Sequence, residues 1–294
     1  MSSSTAAYGL RFTGDVQGLE TLPEAGPRWP AVRLEQVAGP AAGELHVGEY
    51  EATLPVPGAC LRLDRRRSLA AIVAPAPLSP DRLLHPTLGY IATTFSHWLD
   101  RLAFHGGAFS VGDGAVALLG SRGDGKSSTL AWLARAGCPP LADDVVVLDG
   151  LTAFAGPRSI DLWPDAARAL GLPEGVRSVR GGQRQRLAPP AAPGELPLRA
   201  WVSLAWGEGP RLRPLSPAER YAALARHLHV QRAGRLAGEE SLLDLLALPA
   251  FELTRPRGLD SLAGSGSALL ELAGQLQQDR GRDHQKSGAD GGSG

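Results

Sequence analysis

The chain has 294 residues, 43% of them hydrophobic, enough for one large soluble domain or two modest ones. Lys+Arg and Asp+Glu both total 30, so there is no net charge to hold a nucleic-acid backbone. No run reaches the roughly 20 apolar residues of a membrane span, and the first ten residues lack the basic-then-apolar order of a secretory signal. Two cysteines, Cys60 and Cys138, make no disulfide framework and have no zinc spacing. The expectation is therefore a cytoplasmic protein with no nucleic-acid and no membrane partner.

Three regions are predicted along the chain. Residues 1–84 form a β-rich N-terminal region, in which Gly9–Thr13, Ala31–Val37, Glu44–Leu54, Ala59–Leu63 and Ser68–Val73 read as strands between Gly/Pro turns. Arg65, Arg66 and Arg67 read as a solvated turn. From Pro86 the period changes: Leu88, Ile91, Phe95, Trp98, Leu99 and Leu102 recur at helical spacing. A second region, 85–278, continues with Ala103–Val111 and Ala115–Leu119, joined by Gly112-Asp113-Gly114, a hairpin signal. A helix over Ser127–Ala136, closed by Gly137, and a strand over Asp144–Leu148 follow. Ser216-Pro217-Ala218-Glu219 is a capping box that starts a helix to about His229, and Glu239–Leu248 and Gly264–Gln278 also read as helices. Residues 279–294 are polar and glycine-rich, which predicts a disordered tail.

Gly120-Ser121-Arg122-Gly123-Asp124-Gly125-Lys126-Ser127 satisfies G-x-x-x-x-G-K-[ST] between an apolar strand and a helix, with Ser128 next along that helix. Such a loop turns backbone N–H groups onto phosphate oxygens and sets them at the positive end of a helix. Lys126 can reach the terminal phosphates of ATP, and the Ser127 hydroxyl can ligate Mg²⁺. Composition adds to this. The chain has two lysines, Lys126 and Lys286, and uses arginine for every other long cation, so the loop position takes a compact ammonium where guanidinium is the habit. Asp124 sets a carboxylate inside this anion loop, either turned to solvent or paired with a cation such as Arg122. Asp143-Asp144 lie at a strand start 17 residues past Lys126, and His105 lies 21 residues before it.

His105-Gly106, the loop GSRGDGKSS and Leu141-Ala142-Asp143-Asp144 together resemble the core of the HPr serine kinase/phosphorylase superfamily, closest in pattern to its smaller peptide kinases, including those acting on lasso-peptide precursors. The resemblance covers Leu102–Leu148 closely, continues weakly to about residue 272 and hardly touches the first 80 residues. It implies an α/β fold: a P-loop kinase core of HPr-kinase type, a mixed sheet flanked by helices, over 85–278, beside the smaller β-rich N-terminal region. It implies ATP and Mg²⁺ as cofactors. It implies catalytic roles for Asp143, His105 and Lys126, with Asp143 as the base for a substrate hydroxyl, and metal-side roles for Ser127 and Asp144. The Arg-Gly-Leu-Gly signature of the bifunctional enzymes is not evident. The expected activity is a serine/threonine-hydroxyl kinase with a peptide or small-protein partner, such as a ribosomally made precursor, and a homo-oligomer is compatible with it. A small-molecule kinase, a bifunctional HPr kinase/phosphorylase and a nucleotide-binding regulatory module stay open. The basic stretch Arg180–Arg186, with Arg184 and Arg186, reads equally as a flap over the phosphates and as a solvated loop.

Overall fold

The structure is a computed structural model that describes residues 5–14, 16–19, 22–23, 26, 28–172, 176–229 and 239–289, with backbone alone for 239–241 and 279–289. Its first seven strands are β1 (Thr5–Ala7), β2 (Leu10–Thr13), β3 (Ala31–Ala38), β4 (His46–Val47), β5 (Glu51–Val56), β6 (Ala59–Asp64) and β7 (Leu69–Ala74). They form one sheet in the order β1-β2-β3-β7-β6-β5-β4. The single strand predicted over Glu44–Leu54 is two. The chain reverses at Gly48, whose N–H donates to the Glu51 carbonyl at 2.8 Å, so β4 folds back antiparallel on β5. β1 carries no local signal; it exists because Thr5–Ala7 pair with Leu10–Phe12.

A short helical turn α1 (Pro80–Arg82) leads through Leu83–Thr87 into α2 (Leu88–Trp98), with extended backbone at His85 breaking the helix. Leu88, Ile91, Ala92, Phe95 and Trp98 lie on one face of α2 at three- and four-residue spacing and are buried. The predicted helix runs on to Leu102, but α2 ends at Trp98. Asp100 takes a left-handed φ of 55° and turns the chain, so Leu102 opens the next strand instead.

Strands β8 (Leu102–Val111) and β9 (Gly114–Leu119) form the expected hairpin. Its two turn residues are Gly112 and Asp113, with Gly112 at the positive φ such a turn asks of its first position. Then come α3 (Lys126–Arg135), β10 (Pro140–Ala142), β11 (Val145–Asp149), β12 (Thr152–Phe154), β13 (Ile160–Leu162), α4 (Pro164–Ala169), β14 (Ser178–Val179), β15 (Arg184–Leu187), β16 (Glu195–Trp206), β17 (Arg211–Pro214), α5 (Pro217–His227), α6 (Glu239–Ala247), β18 (Ala250–Arg255) and α7 (Leu262–Ala289). The two long strands do double duty. β8 pairs with β11 through Leu102–His105 and with β9 through Gly106–Val111. β16 pairs with β12 through Glu195–Pro197 and, in parallel, with β9 through Leu198–Ser203. The pairings β8–β11–β12–β16–β9–β8 therefore return on themselves, and β18 and β17 extend from β16.

β9 is buried on both faces. Val116 and Leu118 face the core under α3 and α7, while Ala115, Ala117 and Leu119 face the core under α5 and α6. Along β16 the parity switches. Leu196 and Leu198 face the second core, but after the register shift between Leu198 and Ala200 it is Trp201 that faces it, while Ala200, Val202 and Leu204 face the first. One extra residue in a strand inverts which side chains face which layer. The molecule is a mixed α/β fold, and no described helix is long and apolar enough to cross a membrane.

α7 departs from expectation at its end. Residues 279–289 continue the helix that the predicted disordered tail denies; residues 290–294 lie outside the described residues. A helix seated through Leu262, Leu269, Leu272 and Ala273 has its nucleus formed, and extending it needs only one hydrogen bond per residue.

Candidate active site

Gly120–Gly125 leave the end of β9 and enter α3, and positive φ at Gly123 (95°) and Gly125 (74°) lets the chain turn there. The φ of Gly125 favours glycine, and a Cβ there would also meet Nη2 of Arg255 at 2.7 Å, so Arg255 would have to shift. No side chain caps the start of α3, and its first turn holds no acid. The helix thus presents free N–H groups and its positive end to whatever lies over the loop. Asp124 turns neither to solvent nor to Arg122. Its Oδ2 accepts from the Ser121 N–H at 2.5 Å, folding the carboxylate back on the loop entrance. Arg255, 2% exposed at the end of β18, donates to the Thr129 hydroxyl at 2.9 Å and to the Asp124 carbonyl, and so braces the loop from behind.

Lys126 is buried, and its ammonium donates to the carbonyls of Gly120 (2.7 Å) and Ser121 (3.1 Å) and meets Nε2 of His105 at 3.2 Å. Burial pulls its pKa down against the opposing pull of Asp143, Asp144 and Asp124. His105 stands on β8 opposite Val145, one residue past the acidic pair. Burial and then the Lys126 charge lower its pKa, which keeps the ring neutral. With Nε2 accepting from Lys126, the proton belongs on Nδ1, which faces Asp144 Oδ1 at 3.6 Å.

Asp143 and Asp144 precede β11, and Asp144 takes a left-handed φ of 73°, which turns the two carboxylates to different partners. Asp143 Oδ1 accepts from the Ser127 hydroxyl and from the Asp144 N–H, both at 3.1 Å. Asp144 lies between His105 and His85, whose Nδ1 stands 3.7 Å from its Oδ2. Burial, then the Asp144 charge, raises the pKa of Asp143 to about 7. The fold thus brings His105, Lys126, Ser127, Asp143 and Asp144 into one contact network. It seats Ser127 against Asp143, and Asp144 against the two histidines.

Four further residues belong to this neighbourhood and have no signal in the sequence. His85 arrives through the break before α2. His229 follows α5; its N–H donates to the Ala103 carbonyl at 2.8 Å and its ring lies 6.3 Å from that of His105. His227, two residues earlier across the Phe104–Leu228 bridge, has its pKa lowered to about 4 by burial and then by Lys126. Tyr8, 3% exposed in the turn between β1 and β2, feels both carboxylates: burial and then Asp144 and Asp143 raise the pKa of its hydroxyl. Each reaches the site by tertiary packing, which no spacing in the chain announces. The stretch Arg180–Arg186 is ordered here. It joins β14 to β15, and Arg186 binds Asp161 through Nε at 2.7 Å and Nη2 at 2.9 Å. Among the described residues no three His, Cys, Asp or Glu side chains converge as a metal cage would require.

No family model matches the chain, and no curated protein matches it. Among solved structures it is similar to the HPr(Ser) kinase/phosphatase from Coxiella burnetii, at 13% identity and a TM-score of 0.33, over 62% of this chain and 98% of that one. At that distance the likeness assigns no residue a role.

Proposed function

We propose that the protein is an ATP- and Mg²⁺-dependent kinase that phosphorylates a serine or threonine hydroxyl of a peptide or small protein, such as a ribosomally made precursor. One observation carries the reading: an uncapped helix start, a buried ammonium and a carboxylate poised near neutrality meet around Ser127, Lys126 and Asp143. The first two suit a triphosphate, and the third suits removal of a proton from an alcohol.

The groups present fit both cofactors. The Ser127 hydroxyl and the carboxylates of Asp143 and Asp144 form an all-oxygen donor set, and a hard cation that keeps waters and substrate phosphates needs only one or two protein ligands. Bound there through Ser127 and Asp144, Mg²⁺ would neutralise phosphate charge. Lys126 would exchange the loop carbonyls for phosphate oxygens, and His105 would hold the ammonium and Asp144 in register. Asp143 would take the proton of the acceptor hydroxyl while its oxygen bonds the terminal phosphorus and the bond to the leaving ADP breaks.

The test is incubation with Mg²⁺ and ATP against a panel of serine- and threonine-bearing peptides, including short peptides encoded beside the gene, and a panel of sugars and nucleosides. The reading expects ADP release and a mass gain of one phosphate on a peptide hydroxyl. Transfer confined to metabolites would reject the peptide acceptor, and no ADP release with any acceptor would reject the kinase.

A further inference from the structure

Arg184 is 7% exposed, yet among the described residues it touches no carboxylate. Its guanidinium lies over the ring of Trp163, 3.0 Å from the centroid, and among the described residues it donates from Nη1 to the carbonyl of Gln183 at 3.0 Å. Two acids bear on it, Asp161 and Asp165, and neither forms an ion pair with it among the described residues; Asp165 Oδ1 accepts from the Ala166 N–H at 2.9 Å. Asp161 is held by Arg186 through two bonds and by Arg180 at 3.0 Å, and Asp81 is held by Arg186 and Arg177. After burial, the charges that bear most on Arg184 are positive, those of Arg180 and of Arg122 at the tip of the Gly120–Ser127 loop. A covered cation that faces other cations and lacks a counter-ion is costly to maintain. A planar guanidinium set over an aromatic ring, with donors left beyond one backbone bond, is the usual device for gripping a carboxylate or phosphate.

We propose that Arg184, braced by Trp163 and flanked by Arg122 and Arg180, is the centre of a second anion subsite beside the loop, which takes a carboxylate or phosphate group carried by the acceptor. This rests on the kinase reading for its place in the reaction. The donor's charge is already met by Lys126 and the start of α3. Arg180 and Arg184 belong to the hairpin of β14 and β15, which Asp161 fixes through Arg180 and Arg186, while Arg122 belongs to the loop; the charge of Asp161 also reaches Asp143. An acceptor that delivers its hydroxyl to Asp143 and carries an acidic group beside it would set that group against Arg184 and Arg122. The acceptor class is then an acidic one.

The probe is inorganic phosphate, titrated by calorimetry into protein saturated with Mg²⁺ and a non-hydrolysable ATP analogue. Phosphate is expected to bind the saturated wild type, and Arg184→Gln should weaken that binding by about tenfold, the worth of one charge-assisted pair, with the analogue's affinity little changed. Arg122→Gln, on an exposed loop residue whose loss costs no packing, should also weaken it and guards against a folding defect at Arg184. The proposal is overturned if the saturated wild type binds no phosphate, or if Arg184→Gln binds it as wild type does. It is also overturned if Arg184→Gln loses the analogue instead, which would assign the arginine to the donor's terminal phosphate. Failure of the analogue to bind wild type would reject the kinase reading alone. Loss of phosphate binding in Arg184→Gln would still uphold the subsite.

Discussion

Asp143 sits where four influences oppose one another: burial and the Asp144 charge hold its proton on, while the Ser127 hydroxyl and Lys126 pull the other way. Its side chain supports no strand pairing and fills no core, so its loss should touch chemistry before folding. Asp143→Asn keeps the shape and the oxygen that accepts from Ser127, but it removes the base. The expected outcome is an unchanged melting temperature and ATP affinity, with phosphoryl transfer reduced by about two to four orders of magnitude. Single-turnover transfer rates check this, and near-normal turnover would assign the proton to another group. The residues of the site that spacing reveals are those carried by the loop and by the strands beside it. Lys126 and Ser127 are set by the loop pattern, and His105 and Asp144 meet because β8 and β11 pair with His105 opposite Val145. His85, His227, His229, Tyr8 and Arg255 are illegible in the chain because nothing local distinguishes a histidine that ends against Asp144 from one that ends in solvent.

At the scale of elements, local chemistry was the legible part. The start of α5 is an example. The Ser216 hydroxyl accepts from the Glu219 N–H at 3.4 Å, and Glu219 Oε2 accepts from the Ser216 N–H at 2.9 Å, with Arg213 at 3.0 Å from Oε1. Arg213 first, then the Ser216 N–H, pull the pKa of Glu219 down to about 2. A carboxylate whose folded pKa is depressed stabilises the fold above its unfolded value, about 4.3, and that contribution fades as pH falls toward 2. Glu219→Gln should therefore melt below wild type at neutral pH, with the gap closing as pH drops through that window. Thermal melts at stepped pH check it, and a gap that stays constant would mean the charge is idle. The hairpin of β8 and β9 and the helix α3 were legible for the same reason, since turn glycines and caps act within a few residues. The split of β4 from β5, the bulge in β16 and the small sheet of β13, β14 and β15 were not. Their pairing partners lie elsewhere in the chain, or, for β4, in a reversal at Gly48 that the alternation of apolar residues runs straight through.

The whole molecule joins its N-terminal sheet to the sheet that carries the site. One continuous core contains Leu10, Leu34, Leu61 and Ile72 from the first, Leu88, Ile91 and Phe95 from α2, and Ala103, Val145, Val147 and Phe154 from the second. α2 is shared, so neither part buries its apolar face without the other. Calorimetric unfolding should show one transition, and two resolved transitions would mean that the regions melt independently. The same contact sets His85, in the break before α2, 3.7 Å from Asp144, and the buried Tyr8 hydroxyl feels the charge of both carboxylates. The proposed kinase chemistry depends on the loop holding a triphosphate, and calorimetric titration of Mg²⁺–ATP into wild type and Lys126→Ala measures that directly. The account predicts saturable one-to-one binding by wild type, a loss of about tenfold or more in Lys126→Ala, and equal, weak binding of adenosine by both. Equal ATP affinity in the two proteins, or no binding by wild type, would contradict it.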